Sequence, residues 1–278
     1  MTEIFEFFEA NRNIILAFGL TLFAGLATGI GSTIALLAKT TNTRFLSVAL
    51  GFSAGVMIYV SFMEILPKSV EIISRGAGDR SGELISIIGF FVGMIVIAII
   101  DKLVPAPENP HEIKMVEDLK SLDIDNKKSK LYRMGILSAF AIAIHNFPEG
   151  LATFIIALDD FTLGLPIAIA IAIHNIPEGI AVSIPFYYAT GSRKKAFKYS
   201  FLTGLSEPLG ALVGFAILMP FMNDGMLGFI FAAVAGIMVF ISVDNLLPAA
   251  REYSQPHLSI YGMMAGMAIM AISLILFL

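Results

Sequence analysis

AIAIHNFPEGLATFI at residues 141–155 and AIAIHNIPEGIAVSI at residues 170–184 are two copies of one stretch, 29 residues apart. Each copy sets a His, an Asn and a Glu into apolar sequence, with a Pro just before the Glu. About 20 residues cross the hydrocarbon core of a bilayer, so the spacing corresponds to one span plus a short turn. Ionisable groups at that depth are costly and mark functional positions. The stretch therefore predicts two adjacent membrane helices built to bring these polar residues together.

The rest of the chain agrees with a membrane setting. Of 278 residues, 57% are hydrophobic and 14% charged, with a mean hydropathy of +0.83. Apolar runs of spanning length recur, whereas the alternating strands of about ten residues expected of a β-barrel are absent. The expected class is an all-α polytopic membrane protein. Cysteine is absent, which excludes disulfides and thiolate ligands and leaves imidazole, carboxylate, amide and thioether groups for any metal. The start, MTEIFEFFEANRN, has no basic region and does not read as a cleaved signal peptide.

Eight spans are expected at about 13–38, 46–72, 84–104, 131–158, 162–190, 197–221, 226–250 and 257–278. With eight, both termini share a side. Arg12, Lys68, Arg75 and Arg80 fall on that side, and the other 14 of the 18 Lys and Arg residues fall opposite. The positive-inside rule makes the second side cytoplasmic and puts both termini outside, the layout expected of a multi-pass protein of a plasma (cytoplasmic or inner) membrane. Residues 105–130, with Pro105, Pro107, Pro110 and mixed charge, read as a cytoplasmic loop. His111, beside Glu108 and Glu112, reads there as part of a solvated linker, and His257 as part of the last turn.

At about 100° per residue, Glu149 lies about 40° and Asn146 about 100° from His145 on the helical wheel. The glutamate thus stands between imidazole and amide, and His174, Asn175 and Glu178 repeat the arrangement. The two helices run antiparallel, which relates the copies by an inverted two-fold, a pattern found in transporters with a midplane site. Facing copies give two His and two Glu at one position, with the Asn and Glu side chains offering a second beside it. Pro148 and Pro177 cannot donate to the carbonyls of Ile144 and Ile173, so both central helices are expected to kink. Glu207, in SEPLGA, repeats the Glu-Pro theme in the sixth span and is a candidate to complete the second position. Glu64 reads as an entry or second-site ligand. Asp244 reads either as a receiver of ions leaving the centre or as a packing polar group. Met57, two turns before Glu64, reads as a thioether ligand or as core.

These motifs resemble the ZIP (Zrt/Irt-like) metal-ion transporters, in particular the bacterial zinc-uptake branch. HNFPEG at 145–150, HNIPEG at 174–179, SEPLGA at 206–211 and MEILP at 63–67 carry the match, which covers essentially the whole chain as one domain. The resemblance implies eight helices in a three-two-three arrangement and a binuclear centre between helices 4 and 5. The first metal position would be formed by His145, Glu149, His174 and Glu178. Asn146, Asn175 and Glu207 would form the second, with Glu149 and Glu178 bridging and Met57 and Glu64 lining the site. It further implies inward movement of divalent metal: Zn(II), with Fe(II), Mn(II), Co(II) or Cd(II). Metal is substrate, with no cofactor; the partners are metal ions, lipid and a second copy of the chain, and no nucleic acid. The amide-bearing His-Asn pairs imply broader metal selectivity than a more acidic second position.

Two other classes are weaker. A zinc protease of the HExxH kind needs Glu directly after the first His and a second His four residues on. Here Asn146 and Asn175 follow the histidines and Glu takes the later place, so no enzyme is expected. A metal sensor would need a soluble output domain, and none is visible.

Overall fold

The computed structural model describes residues 11–37, 43–103, 124–218, 221, 223–252 and 257–277. They form eight long helices with no strand among the described residues. We label them α1 (Arg12–Leu37), α2 (Thr43–Ala77), α3 (Asp79–Leu103), α4 (Ile124–Asp159), α5 (Phe161–Thr190), α6 (Arg193–Gly204 and Ser206–Leu218), α7 (Asp224–Arg251) and α8 (Leu258–Phe277). Seven of them are long and apolar enough to cross a bilayer, and α4, 36 residues long, is packed among them. A described helix runs along most of each of the eight segments, with different ends. Helix α4 starts at Ile124, inside the stretch read as a loop, so that only residues 104–123 lie outside the described residues there, His111 with them.

Contacts divide the helices into two groups. Helices α1, α4, α5 and α6 all pack on one another; α2 packs on α3, α7 and α8, and α3 on α7. The groups meet mainly where the first half of α2 lies against α5. Close helix approach is provided by glycines. A Cβ on Gly51 or Gly55 of α2 would strike the carbonyls of Ser259 or Met263 in α8, and one on Gly93 of α3 would strike that of Ala233 in α7.

The inverted repeat extends well beyond the HNxPEG copies. AGVMIYVSFMEILP (54–67) in α2 is matched by AGIMVFISVDNLLP (235–248) in α7, and GFFVGM (89–94) in α3 by GMMAGM (262–267) in α8. The matched segments share structure. Each of α2 and α7 widens into a π turn, at Ser61–Ile65 and Ser242–Leu246. The cause is local. Pro67 and Pro248 lack an N–H, and their rings crowd the carbonyls four residues back. The serine hydroxyl opening each turn donates to the carbonyl four residues before it, Ser61 to Met57 and Ser242 to Met238, both at 2.7 Å. Helices α4 and α5, by contrast, stay helical through Pro148, Pro166, Pro177 and Pro185.

The turn between α4 and α5 is a single residue. Asp160, with extended backbone, accepts from the N–H groups of Thr162 (2.9 Å) and Leu163 (3.3 Å) and so caps α5. This tight connection makes the two HNxPEG helices antiparallel neighbours.

Candidate metal centre

The two repeats converge in the middle of the α1, α4, α5, α6 group. On α4, Asn146 and Glu149 are buried to 0% and 1% exposure; on α5, His174, Asn175 and Glu178 are buried to within 2%. Glu207 of α6 is completely buried with them. His174 Nε2 lies 3.0 Å from Glu178 Oε1, one turn along α5, and 3.8 Å from Glu149 Oε2 on α4. Asn175 donates its side-chain amide to the Ala24 carbonyl at 2.8 Å and to Glu207 Oε1. The Glu207 backbone lies directly against Gly150, the residue after Glu149, which joins the two pairs into one centre.

Glycine makes this convergence geometrically available. A Cβ on Gly150 would collide with the Glu207 backbone, and one on Gly179 with the Thr28 carbonyl. The glycine after each glutamate thus lets α6 and α1 seat directly on the motif. Backbone carbonyls around the motif are also satisfied by hydroxyls: Thr153 donates to the Glu149 carbonyl at 2.8 Å and Ser200 to that of Gly179 at 3.0 Å.

Charge decides what the centre can do. Three carboxylates face one described imidazole in a region closed to solvent. Buried charge of one sign must be compensated, by protons or by cations. Both oxygens of Glu149, the second oxygen of Glu207 and both polar atoms of Asn146 are buried with no hydrogen-bond partner among the described residues. The oxygens among these are hard donors beside imidazole nitrogen, a set suited to Zn(II) and its first-row neighbours. Among the described residues no three His, Cys, Asp or Glu side chains close round a single point. The side chain of His145 lies outside the described residues, though its backbone stands on α4 one turn before Glu149.

The remaining candidates lie further out. Met57 is fully buried in the half of α2 that packs on α5. Glu64 is half-buried in the π turn of α2. Asp244 is exposed in the π turn of α7. Sequence reasoning missed the part played by α1: the Ala24 carbonyl receives Asn175, and Thr28 and Ser32 present buried hydroxyls with no hydrogen-bond partner among the described residues. The signal was present, because GLATGIG (25–31) of α1 repeats the spacing of GLSEPLG (204–210) of α6.

Comparison with known proteins gives the same direction as the geometry. Residues 102–274 match the family model described as ZIP Zinc transporter. A zinc transporter ZupT of Lysinibacillus sphaericus is 60% identical over 266 residues, covering 96% of this chain and 99% of the relative. The zinc transporter ZupT of Streptococcus mutans is 60% identical over 267 residues, with coverage of 96% and 99%. That of Clostridium perfringens is 56% identical over 277 residues, with coverage of 96% and 97%. The match of more than half the chain to the family model, and of nearly all of it to these relatives, bears out the resemblance carried by the paired HNxPEG motifs: the chain is a multi-pass membrane protein of the ZIP transporter family, and not an enzyme.

Proposed function

We propose that this protein carries Zn(II), and with it Fe(II), Mn(II), Co(II) or Cd(II), across the cytoplasmic membrane into the cell through a two-position centre between α4 and α5. The observation that carries the reading is the burial of Glu149, His174, Glu178 and Glu207 in one enclosed group between helices. Three carboxylates and two amides supply more anionic and neutral oxygen than one cation needs. The first position uses His174, Glu149 and Glu178 together with His145. The second uses Asn146, Asn175 and Glu207, with Glu149 and Glu178 shared between them.

Each residue's work follows from its chemistry. The glutamates compensate the charge of a dehydrated dication. His174 adds a nitrogen donor that favours zinc and its neighbours over Mg(II) and Ca(II), which prefer all-oxygen shells. Asn175, anchored on the Ala24 carbonyl, holds Glu207 in place. The 14-to-4 distribution of Lys and Arg supports both termini outside. The division of contacts into an α1, α4, α5, α6 group and an α2, α3, α7, α8 group supports sliding of the ion-binding group against the other as the means of alternating access. Association of two copies is part of the same reading.

The direct test is influx of zinc into proteoliposomes holding the purified protein, with each other metal offered alone. The expected result is saturable entry of Zn(II) and slower entry of the others. Absence of divalent flux through folded protein would overturn the reading.

A further inference from the structure

The two-fold that relates α4 to α5 also relates α1 to α6, and backbone contacts fix the register. A Cβ on Gly25 would strike the Gly204 carbonyl, and one on Gly204 the Gly25 carbonyl, so the two glycines face each other across the axis. A Cβ on Gly31 would strike the carbonyl of Ile176 in HNIPEG, and one on Gly210 that of Phe147 in HNFPEG. In return Gly179 faces the Thr28 carbonyl and Gly150 the Glu207 carbonyl. Every pair places Thr28 on α1 where Glu207 stands on α6.

The chemistry at these equivalent positions differs. Asn175 is held at both ends of its reach, by the Ala24 carbonyl and by Glu207. By the same symmetry, Thr203 and Thr28 are the counterparts for Asn146 of Ala24 and Glu207, and the Thr28 side chain lies against Gly204 of α6. The Thr203 carbonyl is already taken by the Ser206 hydroxyl at 2.5 Å. Both amide atoms of Asn146 and the hydroxyl of Thr28 are fully buried and have no hydrogen-bond partner among the described residues. Buried polar groups without partners are rare and point to something that visits them.

We propose that Thr28 sets the charge of the centre: its hydroxyl keeps the half-site beside Asn146 neutral, so the second divalent cation takes its charged ligand from one side only, that of Asn175 and Glu207. Thr28 and Asn146 supply neutral oxygens to an ion that Glu207 anchors from across the axis. A carboxylate at residue 28 would make the neutral half-site equivalent to the anionic one. The inference rests on the two-position reading above and adds the residue that decides which half is charged.

Calorimetric zinc titration of the purified protein tests it, with Glu207→Thr, the exchanged pair Thr28→Glu with Glu207→Thr, Thr28→Val and Thr28→Ser. We expect Glu207→Thr to lose one of two zinc equivalents and the exchanged pair to regain it. Thr28→Val, the same shape without the hydroxyl, should weaken the second equivalent about tenfold, and Thr28→Ser should restore most of that loss. An exchanged pair that elutes and unfolds like wild type yet binds as Glu207→Thr does would overturn the proposal. If the exchanged pair does not fold, Thr28→Val decides, and a titration equal to wild type overturns it. Wild type binding a single equivalent, or Glu207→Thr binding as wild type does, would instead remove the two-position reading and this proposal with it.

Discussion

Asn175 on α5 donates its side-chain amide to one oxygen of Glu207 on α6, and the other oxygen of that carboxylate is buried with no hydrogen-bond partner among the described residues. The carboxylate is held in orientation by one contact and left with a free acceptor. Glu207→Gln keeps the shape and still accepts from Asn175, but removes the charge. We expect zinc uptake to fall by about tenfold or more, with the fold unchanged, as measured by proteoliposome influx beside a thermal unfolding curve. Uptake equal to wild type would show that the charge of Glu207 is not used.

Helix seating on the motif depends on Gly31. A methyl group there has only backbone to meet, the Ile176 carbonyl, so α1 must move away from α5. Gly31→Ala should destabilise by about 1–3 kcal/mol, the usual range for overpacking. Gly19 of the same helix has nothing within 4 Å of an added Cβ, and Gly19→Ala should leave the unfolding temperature unchanged or raise it slightly. Equal effects of the two substitutions would refute the close approach of α1 to HNIPEG.

Asp160 holds the one-residue turn that makes the two motif helices antiparallel. Its Oδ1 accepts from the Thr162 hydroxyl at 2.6 Å as well as from two backbone N–H groups. The Thr162 hydroxyl first, then the backbone donors and Lys68, hold this carboxyl below its usual range against partial burial. A depressed folded value means that the stabilisation is present above the unfolded value near 3.8 and is lost as pH falls through the folded value. Asp160→Ala should cost about 1 kcal/mol at neutral pH. Unfolding curves of mutant and wild type should converge as the solution is made strongly acidic, and a constant gap would contradict the cap.

Much of the architecture was legible before any coordinates. HNFPEG and HNIPEG announce themselves because identical costly residues recur at the distance of one span, and Glu207 because it shares their Glu-Pro step. The rest was hidden for physical reasons. Thr28 looks like one more small residue of an apolar helix, since its equivalence to Glu207 lies in the glycine spacing of GLATGIG and GLSEPLG and not in shared chemistry. The π turns of α2 and α7 are encoded by serine and proline six residues apart, a pattern that periodicity does not display. Proline alone does not single them out, because it also stands inside α4 and α5, where the helices continue through it. The start of α4 at Ile124 escaped because IDNKKSK lacks the apolar repeat by which membrane helices are read.

The central claim is that the ion passes through the buried group around His174, whose Nε2 stands 3.0 Å from Glu178 and 3.8 Å from Glu149. Removing the imidazole takes away the nitrogen donor and leaves the two glutamates facing each other. The most direct measurement is uptake of radioactive zinc into proteoliposomes by His174→Ala beside wild type, at equal amounts of folded protein. The account expects uptake to drop to about a tenth or less; uptake indistinguishable from wild type would contradict it.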